Sequence, residues 1–337
     1  MHNHISKQKV FRLKHQAVRD LAWSLWGPAL LIHSAPYNET INSEAINSAT
    51  YFPIDEPWLW QLDKHPEALS EYLQQKNTRL LGTYFEALWQ FYFSQHPSFT
   101  QCICNLQIND ANRTVGEFDA LVTNTLGQNF HVELTCKFYL EWQDEQQTKL
   151  WLGPNCGDRL DIKYHKTDTH QLPLLKTELG QKNYNEHIFN TNPVQQLAIW
   201  RGTAFPKTHW VRIQELANNT TINAWRSSSN TNDINNNQIL WFIADKSTWL
   251  SPITQVRENL KTYEQVCQQI NDHFQSDLTE KKHYTIMLIA LAFDDENQQW
   301  QQQQSFFITP KNWPYGTLAD SALTPLRPCK PPLWINK

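Results

Sequence analysis

Two short stretches of the chain place acidic side chains on one face of a strand-like run, GEFDALV at 116–122 with Glu117 and Asp119 and HVELTCKFYL at 131–140 with Glu133. Both alternate as strands do, and a strand sends successive side chains to opposite faces. Glu117 and Asp119 then share one face, with Phe118, Ala120 and Val122 opposite. On the second stretch His131, Glu133, Thr135 and Lys137 share a face, and Val132, Leu134, Cys136 and Phe138 lie behind it. Paired as a hairpin, the two stretches crowd three carboxylates and an ammonium together. Such a face is either a solvated surface laced with cross-strand ion pairs or a site for a hard divalent cation. Magnesium takes oxygen ligands and keeps several waters, so Asp119, Glu133 and the carbonyl of Leu134 would supply part of an octahedral shell. Lys137 would hold the attacking water or stabilise charge developing on phosphorus. The chemistry this describes is phosphodiester hydrolysis. Glu117 is either a second ligand or a rim charge, and His131, near the turn, is expected to be exposed.

The surrounding elements decide whether these groups meet. TRLLGTYFEALWQFYFS (78–94) is an almost wholly apolar helix whose single carboxylate is Glu86. A buried charge needs a partner, which is either Arg79 in its own helix or the hairpin site, where Glu86 would orient a water. TQCICNLQI (100–108) is expected as a strand, and the hairpin spans about 114–140 with its turn at LGQN. After a Gly/Pro-rich loop, a polar helix is expected from about Asp158 to Gln171. It presents either a solvated charged face or a phosphate-binding one, and Gln171 either contacts substrate or is a surface residue at the helix end. The order over 78–175 is α-β-β-β-α.

That run resembles the PD-(D/E)XK nuclease superfamily, in which a helix glutamate precedes an aspartate on one strand and a (D/E)-x-K element on the next. The resemblance implies a restriction-endonuclease-like core and a Mg2+ or Mn2+ cofactor. It assigns Asp119 and Glu133 as metal ligands, Lys137 as the lysine and Glu86 as the helix glutamate. This sequence departs from the pattern in one respect: three residues, not one, separate Glu133 from Lys137. The shared face is kept, but the lysine is displaced by about 6–7 Å along the strand. Lys163 is the alternative, since lysines migrate elsewhere in that superfamily. Most of the chain also resembles an uncharacterised bacterial family, family 1853 of the domains of unknown function. That resemblance rests on RDLAWSLWGPALL, LGTYFEALWQFYF, GEFDALV, ELTCKFYL, LGPNCGDRLDIKYHKTDTHQLPLL and ITPKNWP.

The rest of the chain bounds these readings. It has 337 residues, fifteen tryptophans, a hydrophobic fraction of 40% and a formal net charge of −4. A large core is affordable, and nucleic-acid binding would have to rest on a local patch. The basic start (Lys7, Lys9, Arg12, Lys14, Arg19) suits either a nucleic-acid backbone or a solvated helix face. The six cysteines form no CxxC and no zinc spacing. With no signal peptide and no membrane-length apolar run, they read as reduced thiols in a cytoplasmic protein. GxSxG, Walker, HExxH and GxGxxG motifs are absent. Helices are expected over 7–26, 66–76, 192–202 and 253–274, and strands over 209–216, 238–244, 284–293 and 304–309. Residues 33–57 and 218–238 are expected as loops, and 296–304 as a hairpin tip.

The expected fold is mixed α+β, a central mixed sheet flanked by helices. It has an N-terminal helical segment (1–77), the nuclease-like core (78–175) and a C-terminal α+β region (176–337), either separate from the core or one continuous domain with it. The expected function is a metal-dependent nuclease acting on DNA or RNA. The alternative is an inactive nuclease-fold module that binds nucleic acid or protein, and a third reading is a pure scaffold.

Overall fold

The strand that carries Glu133 sits in the middle of a sheet that divides along one of its edges. The structure is a computed structural model, and it describes residues 5–30, 51–111, 113–143, 149–188, 190–227, 238–275 and 284–314. In the first sheet β1 (Phe99–Asp110), β2 (Arg113–Asn124) and β3 (Asn129–Gln143) run antiparallel in sequence order, and β4 (Lys149–Leu152) folds back on the end of β3. β2 pairs with β3 only from Ala120↔Val132 to Thr123↔Asn129. β4 pairs with it only from Leu140↔Leu152 to Gln143↔Lys149. Among the described residues, 133–139 of β3 therefore have no strand partner on that edge. The sheet forks there, with β2 and β4 as its arms.

The other edge of β3 is fully used. β5 (Val194–Phe205) runs parallel to it from Asn129↔Val194 to Leu140↔Phe205. This corrects the helix expected over 192–202. Leu197, Ala198, Ile199 and Trp200 are all buried, and a short apolar run buried on both faces has no strand periodicity to betray it.

Helices cover both faces of this sheet. α1 (Lys7–Phe11) and α2 (Gln16–Trp26) replace the single helix expected over 7–26. The break is held by buried Asp63 at the end of α3 (Glu56–Lys64), whose carboxylate accepts the backbone N–H groups of Lys14 and His15 at 2.9 and 3.0 Å. α3 occupies a stretch whose first residues were expected to be loop, and residues 33–50 of that loop lie outside the described residues. Arg19 fits neither reading of the basic start. It is buried and donates to the carbonyls of Leu13 and Lys14 at 2.8 and 2.9 Å.

α4 (Glu67–Gln75) and α5 (Leu81–Gln95) follow as expected. α5 buries Phe85, Leu88, Trp89 and Phe93 against the sheet. The Phe52 ring sits 5.4–5.8 Å from those of Phe130, Phe93 and Trp89; each such buried aromatic contributes about 2–3 kcal/mol. On the opposite face lie α6 (Leu160–Lys166), a π-helical turn (Thr167–Gln171) and α7 (Glu178–His187). The expected helix to Gln171 is thus α-helical only to Lys166.

The second sheet has the order β6 (Trp210–Arg212), β10 (Gln299–Thr309), β9 (Ile286–Asp294), β7 (Ile239–Ala244), with β8 (Thr254–Gln255) beside β10. The glutamine run expected as a hairpin tip is mostly β10. The strand expected over 209–216 stops at Arg212. The helix expected over 253–274 begins only at α9 (Tyr263–Gln275). α8 (Thr220–Ser227) lies in the expected loop, and residues 228–237 of that loop are outside the described residues. β9 is buried on both sides. Leu288 and Ala290 pack with Val266 and Ile270 of α9, while Met287, Ile289 and Leu291 join a core shared with the first sheet through Phe205, Trp210 and Phe307. The fold is mixed α+β, two sheets with helices. Among the described residues no helix is long and apolar enough to cross a membrane.

Candidate functional site

Asp119 stands where the fork divides. Side-chain alternation along β2 switches there: Phe118 packs with Ile108 and Leu121, whereas Ala120 and Val122 pack in the core with α5. Phe118 therefore does not share a face with Ala120 and Val122. The facing residue on β1, Asn105, has φ +55°, a left-handed conformation that asparagine tolerates. Beyond Val132 β3 has lost β2 as a partner, and the Asp119 carboxylate replaces it by accepting the Leu134 N–H at 2.8 Å.

Glu133 is 2% exposed and is held by two donors. His131 Nε2 lies 2.8 Å from Oε1, and Gln171 Nε2 donates to Oε2 at 2.6 Å. The Gln196 amide of β5 donates to His131 Nδ1 at 3.0 Å and to the Leu172 carbonyl at 2.6 Å. With Nδ1 accepting, the ring proton sits on Nε2 and points at Glu133. Burial holds the imidazole down to about 4, so it is neutral. The exposed histidine expected from the sequence is in fact fully buried, with the Phe118 ring 4.6 Å away. Gln171 is aimed in turn: its Oε1 accepts from Lys163 Nζ at 3.1 Å and from Thr167 Oγ1 at 2.9 Å. The π-helical turn brings Gln171 round to these partners, a common use of such turns.

Three carboxylates share this region. Burial first, then repulsion from Glu133, raises Asp119 to about 7. Burial raises Glu133 to about 7, against the pull of Lys163 and Gln171. Glu86 is raised to about 7 by burial and by Asp119, Glu117 and Glu133, with Lys163 opposing. The Arg79 pairing is not formed among the described residues, where Glu86 has no hydrogen bond or ion pair. The folded state thus holds more protons here than the unfolded chain between roughly pH 4.5 and 7, and these groups cost stability as pH rises through that window. Glu86→Gln is expected to stabilise the protein by about 1–2 kcal/mol near pH 8, after allowance for partial solvent access, and by well under 1 near pH 5. Urea melts at the two pH values check this, and equal effects at both would refute it.

The ammonium nearest these acids is Lys163, not Lys137. Lys137 Nζ pairs with Asp158 at 2.7 Å, whereas Lys163 acts on all three carboxylates and is itself held below its usual range by burial. In front of the fork is a cleft of about 480 Å³. Its walls include Glu86, Leu134, Thr135 and Lys163; Asp119 and Glu133 are not among the wall residues. Glu86, Asp119, Glu133, Lys163 and Gln171 thus converge. Thr135 is buried on the wall, Glu117 is a half-buried neighbour that repels Glu86 and Asp119, and Lys137 lies on the same wall with its ammonium paired to Asp158. Sequence reasoning missed Gln196, hidden in a segment read as helix, and the supporting role of His131.

The donor set is hard oxygen, and three raised carboxylates face one ammonium. That imbalance suits a divalent cation that takes one or two carboxylates and otherwise waters. Among the described residues no three His, Cys, Asp or Glu side chains stand together at ligating distance, so any such cation would be only partly enclosed by protein. No curated protein and no solved structure matches the chain. The model of the domain of unknown function DUF1853 matches residues 19–309, and the chain belongs to that family.

Proposed function

We propose that the protein is a metal-dependent phosphodiester hydrolase with a PD-(D/E)XK-like site, acting on nucleic acid. The observation that carries this reading is the convergence of Asp119, Glu133 and Lys163 at the open edge of β3, with Glu86 beside them in the cleft. Asp119, Glu133 and the Leu134 carbonyl would hold Mg2+ or Mn2+, which when bound would polarise the phosphate and ease ionisation of the attacking water. Lys163 places positive charge where the phosphoryl oxygens gain negative charge. Glu86, unpartnered and poised near neutrality, accepts the water's proton. His131, Gln171 and Gln196 keep Glu133 oriented. The role expected of Lys137 passes to Lys163, which restores the short reach that the three-residue spacing removes.

A second reading is a binding module of the same fold without catalysis, favoured by the absence of a three-ligand cluster among the described residues. One experiment separates the two. Calorimetric titration with Mn2+ is expected to show saturable binding that Asp119→Ala abolishes, together with cleavage of oligonucleotides by the parent alone. Cleavage by Asp119→Ala at the parent rate would sink the hydrolase reading. Strand binding indifferent to Asp119→Ala and to chelator, without cleavage, would establish the module.

A further inference from the structure

The cleft in front of the fork has a charge balance opposite in sign to that of the chain as a whole. Its walls carry Arg79, Lys137, Lys163 and Lys246 against two acids, Glu86 and Asp158, on a chain whose formal net charge is −4. It is the local basic patch that a chain of this balance needs in order to meet a polyanion. The cations do not line an open, flat face. They come from separate elements that close round the opening: the residues leading into α5, β3, α6 and the turn before Trp249, with the loop after β4 completing the wall. The loop is pinned from behind, since the Pro154 carbonyl accepts from Thr285 Oγ1 at 2.7 Å and from Trp313 Nε1 at 2.9 Å. Tight local turns also hold it, with the Gly153 N–H on the Asp158 carbonyl at 2.8 Å.

Between the charges the lining is apolar. Trp249 is half-buried, its indole N–H bonded to the Ala244 carbonyl at 3.1 Å, its ring edge-on to Phe138 at 5.5 Å and to Phe307 at 5.0 Å. It is thereby locked with part of its surface toward the cleft. Leu80, 69% exposed, forms the opposite lip beside Arg79. A volume of about 480 Å³ is that of a small-molecule site, in the range of roughly 300–1,000 Å³. That volume matches a phosphate with its sugar and base and is far smaller than a duplex segment.

We infer that the cleft takes single-stranded nucleic acid, one unpaired nucleotide at a time, with phosphates on Arg79, Lys137 and Lys246 and a base against Trp249 and Leu80. This rests on the phosphodiester reading of the carboxylate cluster behind it. A positively charged groove interleaved with an aromatic platform is how strands are held without sequence readout, and each stacked base is worth about 1–3 kcal/mol.

The test is fluorescence anisotropy with fluorescein-labelled oligo-dT, oligo-U of the same length and a blunt duplex, with calcium in place of magnesium. Single strands are expected to bind at least about tenfold more tightly than the duplex. Trp249→Leu should weaken strand binding by about 5–100-fold. Because Trp249 also packs in the core, the exposed Lys246→Glu is the parallel variant. It should weaken binding and lower the slope of log affinity against log salt by about one. Equal or tighter binding of the duplex overturns the inference, as does strand binding that neither Lys246→Glu nor Arg79→Glu disturbs. Strand binding in the cleft with no cleavage in Mn2+ upholds it while removing the hydrolase reading.

Discussion

Lys163→Met is expected to lower kcat for oligonucleotide cleavage by about 10²–10³-fold, while Lys137→Met leaves kcat within about threefold and acts mainly on KM. Lys163 reaches the site from α6, its ammonium 3.1 Å from the Gln171 carbonyl oxygen that orients the amide on Glu133. It is the cation whose charge pulls on Asp119, Glu133 and Glu86 together. Lys137 spends its charge on Asp158, and the side chains of that pair are 39% and 27% exposed, so solvent screens it. Methionine keeps the length and apolar stem of lysine, so the comparison removes charge with little change in packing. The two variants assayed side by side in Mn2+ decide the assignment. A large kcat loss in Lys137→Met with Lys163→Met near normal would return the lysine role to β3.

Gly202→Ala is expected to destabilise the fold by about 3–5 kcal/mol, enough to remove most of its stability. Gly202 lies on β5 opposite Lys137 of β3, with φ +111°. A Cβ there would stand 1.8 Å from the Lys137 carbonyl oxygen and 2.7 Å from its carbon. Both atoms belong to the backbone, so neither can move aside without parting the two strands. The backbone angle adds strain of its own. The strands that would separate are those that carry Glu133 and the Gln196–His131 support, so the site goes with the sheet. Gly82 is the contrast. It lies within α5, and a Cβ there meets nothing within 4 Å, so Gly82→Ala is expected to stabilise by about 0.5–1 kcal/mol through helix propensity. Urea denaturation of both variants checks the pair. A Gly202→Ala protein with an unchanged midpoint would refute the close approach.

The acidic hairpin was legible because its chemistry is local. Two-residue spacing on strands with a short turn places Asp119 and Glu133 near each other in almost any fold that keeps the hairpin. The apolar helix with its lone Glu86 was legible for the same kind of reason, since an amphipathic or wholly buried period shows in a dozen residues. α4, α5, β1 and the hairpin came out where periodicity put them. The elements that failed did so for recognisable causes. β5 is buried on both faces and so lost the alternation that marks a strand. The first helix is split by Asp63, some fifty residues along the chain. The glutamines of β10 are strand residues because β9 is there to pair with them, not because glutamine favours strands.

Residue types and spacing by themselves determined that this chain has an acidic hairpin, a helix glutamate and two candidate lysines. The tertiary structure alone decided which lysine faces the acids and that His131 is a buried neutral support. It also decided that the sheet forks at Asp119 and that the opening is walled by a loop hung on Thr285 and Trp313. The physical reason is range. Spacing along a strand or helix specifies neighbours within a few residues, whereas the charge balance, burial and shape of the cleft are set by segments more than a hundred residues apart that meet only when the shared core is packed.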